Sequence, residues 1–222
     1  MAFEAYGSYA TDLFTLQAEK VLAEHKTEKP LFLYMAHLAV HSANFYSPLQ
    51  APLESIRKFA YIQDPQRRRF AAMLDNLDQS VGRLIFALQQ KGMLHNSIIL
   101  FTTDNGGSIF FDVKYSFYST VFIGPAAGFD LNKASNWPLR GIKNTLWEGG
   151  VRGSAFLWSP LLKNSSRVHS QGLMGIQDWL PTLYHAAGTT VLHFSIQIAD
   201  FQTIYFGSWQ GTKSAGTMVF CP

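Results

Sequence analysis

Between Phe70 and Leu88 the apolar residues Phe70, Met73, Leu74, Leu77, Val81, Leu84, Ile85 and Leu88 recur at steps of 3, 1, 3, 4, 3, 1 and 3. Only an α-helix turns that period into one continuous face. Asp64 followed by Pro65 supplies an N-cap and a first helical residue, and Gly92 suits a left-handed end. A face of that length must be covered, and the chain carries apolar runs on both sides of it. Leu31 to Ala36 and Ser97 to Thr103 each suit a strand buried on both faces. Strand, helix, strand in that order implies a right-handed parallel crossover. The fold class is therefore α/β, with a mostly parallel sheet flanked by helices. Gly153 to Ser159 offers a third strand. A first helix is predicted from a Thr11 cap to about Lys26, with Phe14, Ala18, Val21 and Leu22 inward, and a short helix from about Asp178 to Ala187, with Pro181 tolerated in its first turn.

Composition narrows the function classes. The 222 residues are 47% hydrophobic, 14% aromatic and 15% charged, enough apolar material for a packed core and too little charge for a disordered chain. Net charge is +3, and the one basic run, Arg67 to Arg69, reads as a solvated helix face, so no nucleic-acid partner is expected. No apolar run reaches the roughly 18–20 residues of a membrane span. The N-terminal segment shows no basic stretch followed by a long apolar one, so no signal peptide is expected within this chain. Cys221, the single cysteine, excludes an internal disulfide and a cysteine-ligated metal site.

In an open parallel sheet, ligands sit beyond the carboxyl ends of the strands. That edge receives His37 and His41 after the first strand and Asp104-Asn105-Gly106-Gly107 after the second. The carboxylate and carboxamide are hard oxygen donors of the kind Ca²⁺ or Mg²⁺ takes, while the same four residues also have turn chemistry throughout. His41 suits either a structural hydrogen bond or donation to an anionic group. Residues 136–153 gather Arg140, Lys143 and Arg152 with Trp137, Trp147 and four glycines, without regular period. This segment reads either as a loop presenting cations from a rigid backbone or as a packed surface loop with ion pairs such as Glu148 with Arg140 or Arg152.

Taken in order, Leu31-Phe32-Leu33-Tyr34 with Ala39-Val40-His41-Ser42, Thr103-Asp104-Asn105-Gly106-Gly107, Asn136-Trp137-Pro138-Leu139-Arg140-Gly141, Leu146-Trp147-Glu148-Gly149-Gly150-Val151-Arg152 and Asp178-Trp179-Leu180-Pro181-Thr182-Leu183 carry a family pattern. The chain resembles the type I, formylglycine-dependent sulfatase family, and within it the arylsulfatase B-like members. The resemblance covers about residues 7–107 and 125–188 and implies an alkaline-phosphatase-like fold and hydrolysis of sulfate esters, on sulfated sugars or aryl sulfates. It implies one Ca²⁺, with Asp104 and Asn105 matching metal ligands. His41 and Lys143 match the residues that contact the sulfate ester and assist the leaving oxygen. A lysosomal or secreted location is implied by the same resemblance, and the sequon at Asn164 is compatible with glycosylation.

The departures shape the expectation as much as the match. The family's formylglycine arises from a Cys-x-Pro-Ser-Arg motif that these 222 residues lack, and Cys221 is followed only by Pro222. The family's aspartate pair and Lys-x-His segment are also absent, so residues 1–188 read as the C-terminal portion of a catalytic domain with an incomplete calcium site. This chain alone is expected to be inactive. Alternatives are a pseudo-sulfatase that binds sulfated glycans without cleaving them, and a related metal-dependent phosphohydrolase. Residues 108–124 interrupt the pattern as an atypical insertion, read as a retained intron or a misplaced exon boundary. Residues 189–222 form a divergent tail, and Gly175 stands where relatives carry His.

Overall fold

The computed structural model describes residues 3–44, 46–107, 133–162 and 173–188, and the backbone of 217–221. The insertion 108–124, Asn164 and most of the tail lie outside the described residues. Helix α1 (Ala10–Glu24) precedes strand β1 (Leu31–Tyr34), a short helix α2 (Leu53–Lys58) and the long helix α3 (Pro65–Gln90). Strand β2 (Ser97–Thr102), a single turn α4 (Glu148–Val151), strand β3 (Ala155–Trp158), helix α5 (Trp179–Ala186) and strand β4 (Thr217–Cys221) follow. The sheet order is β1-β4-β2-β3, with β4 parallel to both β1 and β2, and β3 antiparallel on the β2 edge. The sheet is thus mostly parallel, and the carboxyl ends of β1 and β2 share one edge.

Helix α3 forms where its period placed it. Asp64 Oδ1 accepts from the backbone N–H groups of Gln66 at 2.8 Å and Arg67 at 3.1 Å, and Gly92 adopts φ +69° beyond the last turn. The Arg67 N–H and then the Lys133 ammonium hold the Asp64 carboxyl below the usual carboxylate range. Its apolar face splits into two clusters. Leu84 and Leu88 close a core with Ala18, Leu22, Met35, Met93 and Ile99, and Phe70 and Met73 close a second with Leu49. Helix α5 covers the opposite face of β2, through Ala186 on Ile98 and Trp179 with Leu100.

Four sequence expectations are corrected. The first helix is not capped by Thr11. Its N-cap is Tyr9, without a side-chain bond, and Thr11 is buried inside the helix. Its inward stripe is Thr11, Thr15, Ala18 and Leu22, whereas Val21 is 45% exposed. Thr15 Oγ1 donates to the Thr11 carbonyl at 2.6 Å and lies 2.6 Å from Ser80 Oγ, so Ser80 must donate to it. This polar bridge and the Arg83–Glu19 fork, at 2.8 and 2.5 Å, set the register of α1 on α3. Strand β1 is not buried on both faces: Phe32 and Tyr34 are 63% and 54% exposed, because α5 packs over β2 and β3 on that side and not over β1. Helix α2 stands in a stretch for which the sequence pattern predicts no element. Finally, the tail contributes β4 at the centre of the sheet, a strand absent from the sequence-based expectation.

Candidate functional site

Three loops build the site at the carboxyl edge of the sheet. The first leaves β1. Its Val40 packs with Ala51 and Ala134 against the cluster of Leu49, Phe70 and Met73, so the N-terminal half of α3 anchors the backbone just before His41. The His41 N–H donates to Leu38 O at 2.9 Å. The second loop leaves β2 as Asp104 to Gly107, and the third runs from Lys133 to Val151. Lys133 pairs with Asp64 at 3.1 Å while Arg67 donates to the Lys133 carbonyl, so the N-terminus of α3 also fixes where the third loop starts.

The second and third loops interlock through backbone. Gly106 N donates to Gly150 O at 3.0 Å and Lys143 N to Gly107 O at 3.2 Å, and within the third loop Gly149 N donates to Arg140 O at 2.7 Å. A Cβ on Gly106 would lie 1.8 Å from the Gly149 carbonyl oxygen, and one on Gly149 would lie 2.2 Å from Gly141 O. These glycines are present because two main chains pass at contact distance, and Gly141 additionally adopts φ +93°. Asn136 is the pin. Its Oδ1 accepts from Gly107 N at 2.8 Å, and its Nδ2 donates to Gly107 O at 2.7 Å and Gly141 O at 3.2 Å. The sequence pattern contained Asn136 without a role for it; a carboxamide with donor and acceptor ends, between two glycine-bearing segments, is the signal.

The consequence is one convergence of side chains. His41 Nε2 and Lys143 Nζ, 102 residues apart in sequence, approach to 3.4 Å. His41 Nδ1 lies 2.7 Å from the Ser42 carbonyl, which can only accept, so Nδ1 carries a proton. In the neutral ring Nε2 is then the acceptor, facing the Lys143 ammonium. Asp104 is exposed at the end of β2, and Asn105 Nδ2 donates to Gly106 O at 2.8 Å, which leaves Oδ1 as its acceptor. Two hard oxygen side chains fit part of a calcium shell, which needs about 6–8 oxygens. Among the described residues no group of three or more His, Cys, Asp or Glu could hold a metal ion. Of the ion pairs left open by the sequence, Glu148 takes Arg152 at 3.3 Å, and Arg140 instead lies over the Trp147 ring at 3.7 Å.

His37, which shares this loop with His41, was not assigned chemistry. Both of its ring nitrogens are buried without a partner among the described residues, and burial pushes its pKa down from the ordinary value. The folded chain therefore protonates His37 less readily than the unfolded chain, which takes up a proton near the ordinary histidine value of about 6.5. Stability is expected to fall as pH drops through that value. His37→Leu should shrink the difference in melting temperature between pH 7.5 and pH 5.5; an unchanged difference would refute the assignment.

The sulfatase family model matches residues 2–189. Arylsulfatase J of Mus musculus is 42% identical over 181 residues, covering 82% of this chain and 26% of that protein. The N-acetylgalactosamine-6-sulfatase of Mus musculus is 30% identical over 179 residues, covering 80% of this chain and 29% of that protein. The crystal structure of Ps i-CgsB in complex with k-i-k-neocarrahexaose superposes with a TM-score of 0.66 at 28% identity, over 83% of this chain and 35% of that one. The chain thus spans between a quarter and a third of the length of the curated relatives named here. No helix among the described residues is long and apolar enough to cross a membrane.

Proposed function

Given that the chain belongs to the sulfatase family, we propose that His41, Lys143, Asp104 and Asn105 form the part of a sulfuric ester hydrolase site that receives the sulfate group. The observation that carries this reading is the 3.4 Å approach of Lys143 Nζ to His41 Nε2, with the Lys143 N–H bonded to Gly107 O at the end of the Asp104 to Gly107 turn. The Lys143 ammonium donates to a sulfate oxygen and offsets its negative charge. His41 keeps one proton on Nδ1 against Ser42, so it donates to a leaving oxygen through Nε2 only as the imidazolium. Fixed donors aimed at developing charge are the largest single source of rate enhancement in such centres, about 2.7–4 kcal/mol per donor. Asp104 and Asn105 would hold a Ca²⁺, which when bound supplies further positive charge at the same group.

These 222 residues contain no Cys-x-Pro-Ser-Arg segment. On this reading the chain by itself binds a sulfate ester without cleaving it, with residues 1–188 acting as one portion of the catalytic unit. The proposed ligand class is a sulfated sugar. It is supported by the relative named for N-acetylgalactosamine 6-sulfate and by the neighbour solved with a neocarrahexaose. A lysosomal or secreted setting goes with the family reading, and no nucleic-acid partner is proposed.

Two measurements test this. The purified chain is expected to release no 4-nitrophenol from 4-nitrophenyl sulfate above a His41→Ala control, and release above that control would overturn the proposed inactivity. Calorimetry should detect binding of the same ester, weakened about tenfold or more by Lys143→Ala, since a hydrogen bond to a charged group contributes about 1.5–3 kcal/mol. Equal affinity in the variant would remove Lys143 from the site.

A further inference from the structure

Trp137 is 85% exposed, yet the backbone that carries it is held on both sides. Asn136, immediately before it, makes two bonds to Gly107 that join the second and third loops and a third to Gly141 within its own loop, and Leu139 N donates to Asn136 O at 2.7 Å to close the turn around Trp137 and Pro138. Single exposed apolar residues are ordinary on protein surfaces. Trp137 is not single: Leu146 is 96% exposed and Trp147 45% exposed on the same loop that presents Lys143. The Arg140 guanidinium carbon lies over the Trp147 ring, 3.7 Å from its centroid, a cation–π contact that holds the group beside the exposed loop. Among the described residues Arg140 enters no ion pair, because Glu148 is taken by Arg152.

A bare indole on a pinned turn, a guanidinium held over Trp147 and the Lys143–His41 pair thus belong to one hydrogen-bonded loop system. Aromatic faces of this kind pack against the C–H faces of pyranose rings, and a guanidinium edge pairs with a carboxylate or sulfate. We propose that Trp137 and Arg140 form a saccharide subsite flanking the sulfate position. Trp137 receives a sugar ring, and Arg140 pairs with an anionic group on the neighbouring residue. The ligand is then an anionic oligosaccharide rather than an isolated sulfate ester. This inference rests on the reading of His41 and Lys143 as the sulfate position and adds the residues that select what bears the sulfate.

The test compares two probes by calorimetry on the full chain: a chondroitin sulfate tetrasaccharide and inorganic sulfate. Trp137→Ala is expected to weaken the tetrasaccharide about three- to tenfold, the range of an aromatic contact, and to leave inorganic sulfate unchanged. Trp137→Phe should recover part of the loss, and Arg140→Gln should weaken the tetrasaccharide and flatten its salt dependence. Lys143→Ala should weaken both probes. An unchanged tetrasaccharide affinity in Trp137→Ala, with Lys143→Ala still impaired, would overturn the subsite and leave the sulfate reading standing. Insensitivity of both probes to Lys143→Ala, or no binding of either, would overturn the sulfate reading and the subsite together. A melting temperature in each variant equal to that of the parent chain establishes that the fold is intact.

Discussion

Alanine at Gly106 is expected to lower the unfolding free energy by about 1–3 kcal/mol, the usual range when atoms are forced into a filled space. The new Cβ would stand 1.8 Å from the Gly149 carbonyl oxygen, and that obstacle is backbone, so no rotamer change relieves it. The two loops must separate, which strains the Gly106 N–H bond to Gly150 O and the Lys143 N–H bond to Gly107 O. The same substitution should therefore cost sulfate affinity as well as stability. Gly82 provides the contrast. It lies within α3, and nothing stands within 4 Å of the position its Cβ would take. Gly82→Ala should raise stability by about 0.5–1 kcal/mol through helix propensity alone. Denaturant unfolding of the two variants beside the parent chain measures both signs. A Gly106→Ala variant as stable as the parent would mean that the loops are not interlocked as described.

A larger loss is expected from Leu88→Ala, about 2–5 kcal/mol. Leu88 is 0% exposed and sits where α1, α3 and β2 meet, so truncation removes burial and leaves a cavity that its neighbours cannot fill without shifting α1. Leu74 lies on the same helix and was placed on the same apolar stripe by its spacing, but it is 50% exposed. Leu74→Ala should change the midpoint by much less, within about 1 kcal/mol. Equal losses at the two positions would show that the described burial of α3 is not that of the chain in solution.

The pair Leu88 and Leu74 also shows where sequence reasoning stops. Period placed both on the face of α3, and packing decided between them, because the stripe outruns the surface available to cover it. Much of the candidate site was legible. Asp104-Asn105 at a strand end, His41 after the preceding strand and Lys143 in a glycine-rich loop were identified from residue type, order and family resemblance. The role of Asn136 was not, because its three hydrogen bonds reach backbone atoms up to 29 residues away. Arg140 could not be assigned between an ion pair and a free cation until the structure laid it on Trp147.

By itself the sequence determined the elements whose causes are local: the Asp64-Pro65 start of α3, its period and its Gly92 end, the buried run of β2, and the α/β class that follows from their order. Capping bonds, φ preferences and side-chain periodicity act over a few residues, so they can be read in one line of letters. Only the tertiary structure decided what depends on distant partners. It left one face of β1 open, set β4 from the far end of the chain between β1 and β2, and brought Lys143 to His41 across 102 residues. Burial, strand order and the convergence of charged groups are properties of contacts between segments, and those contacts exist only once the chain has closed on itself.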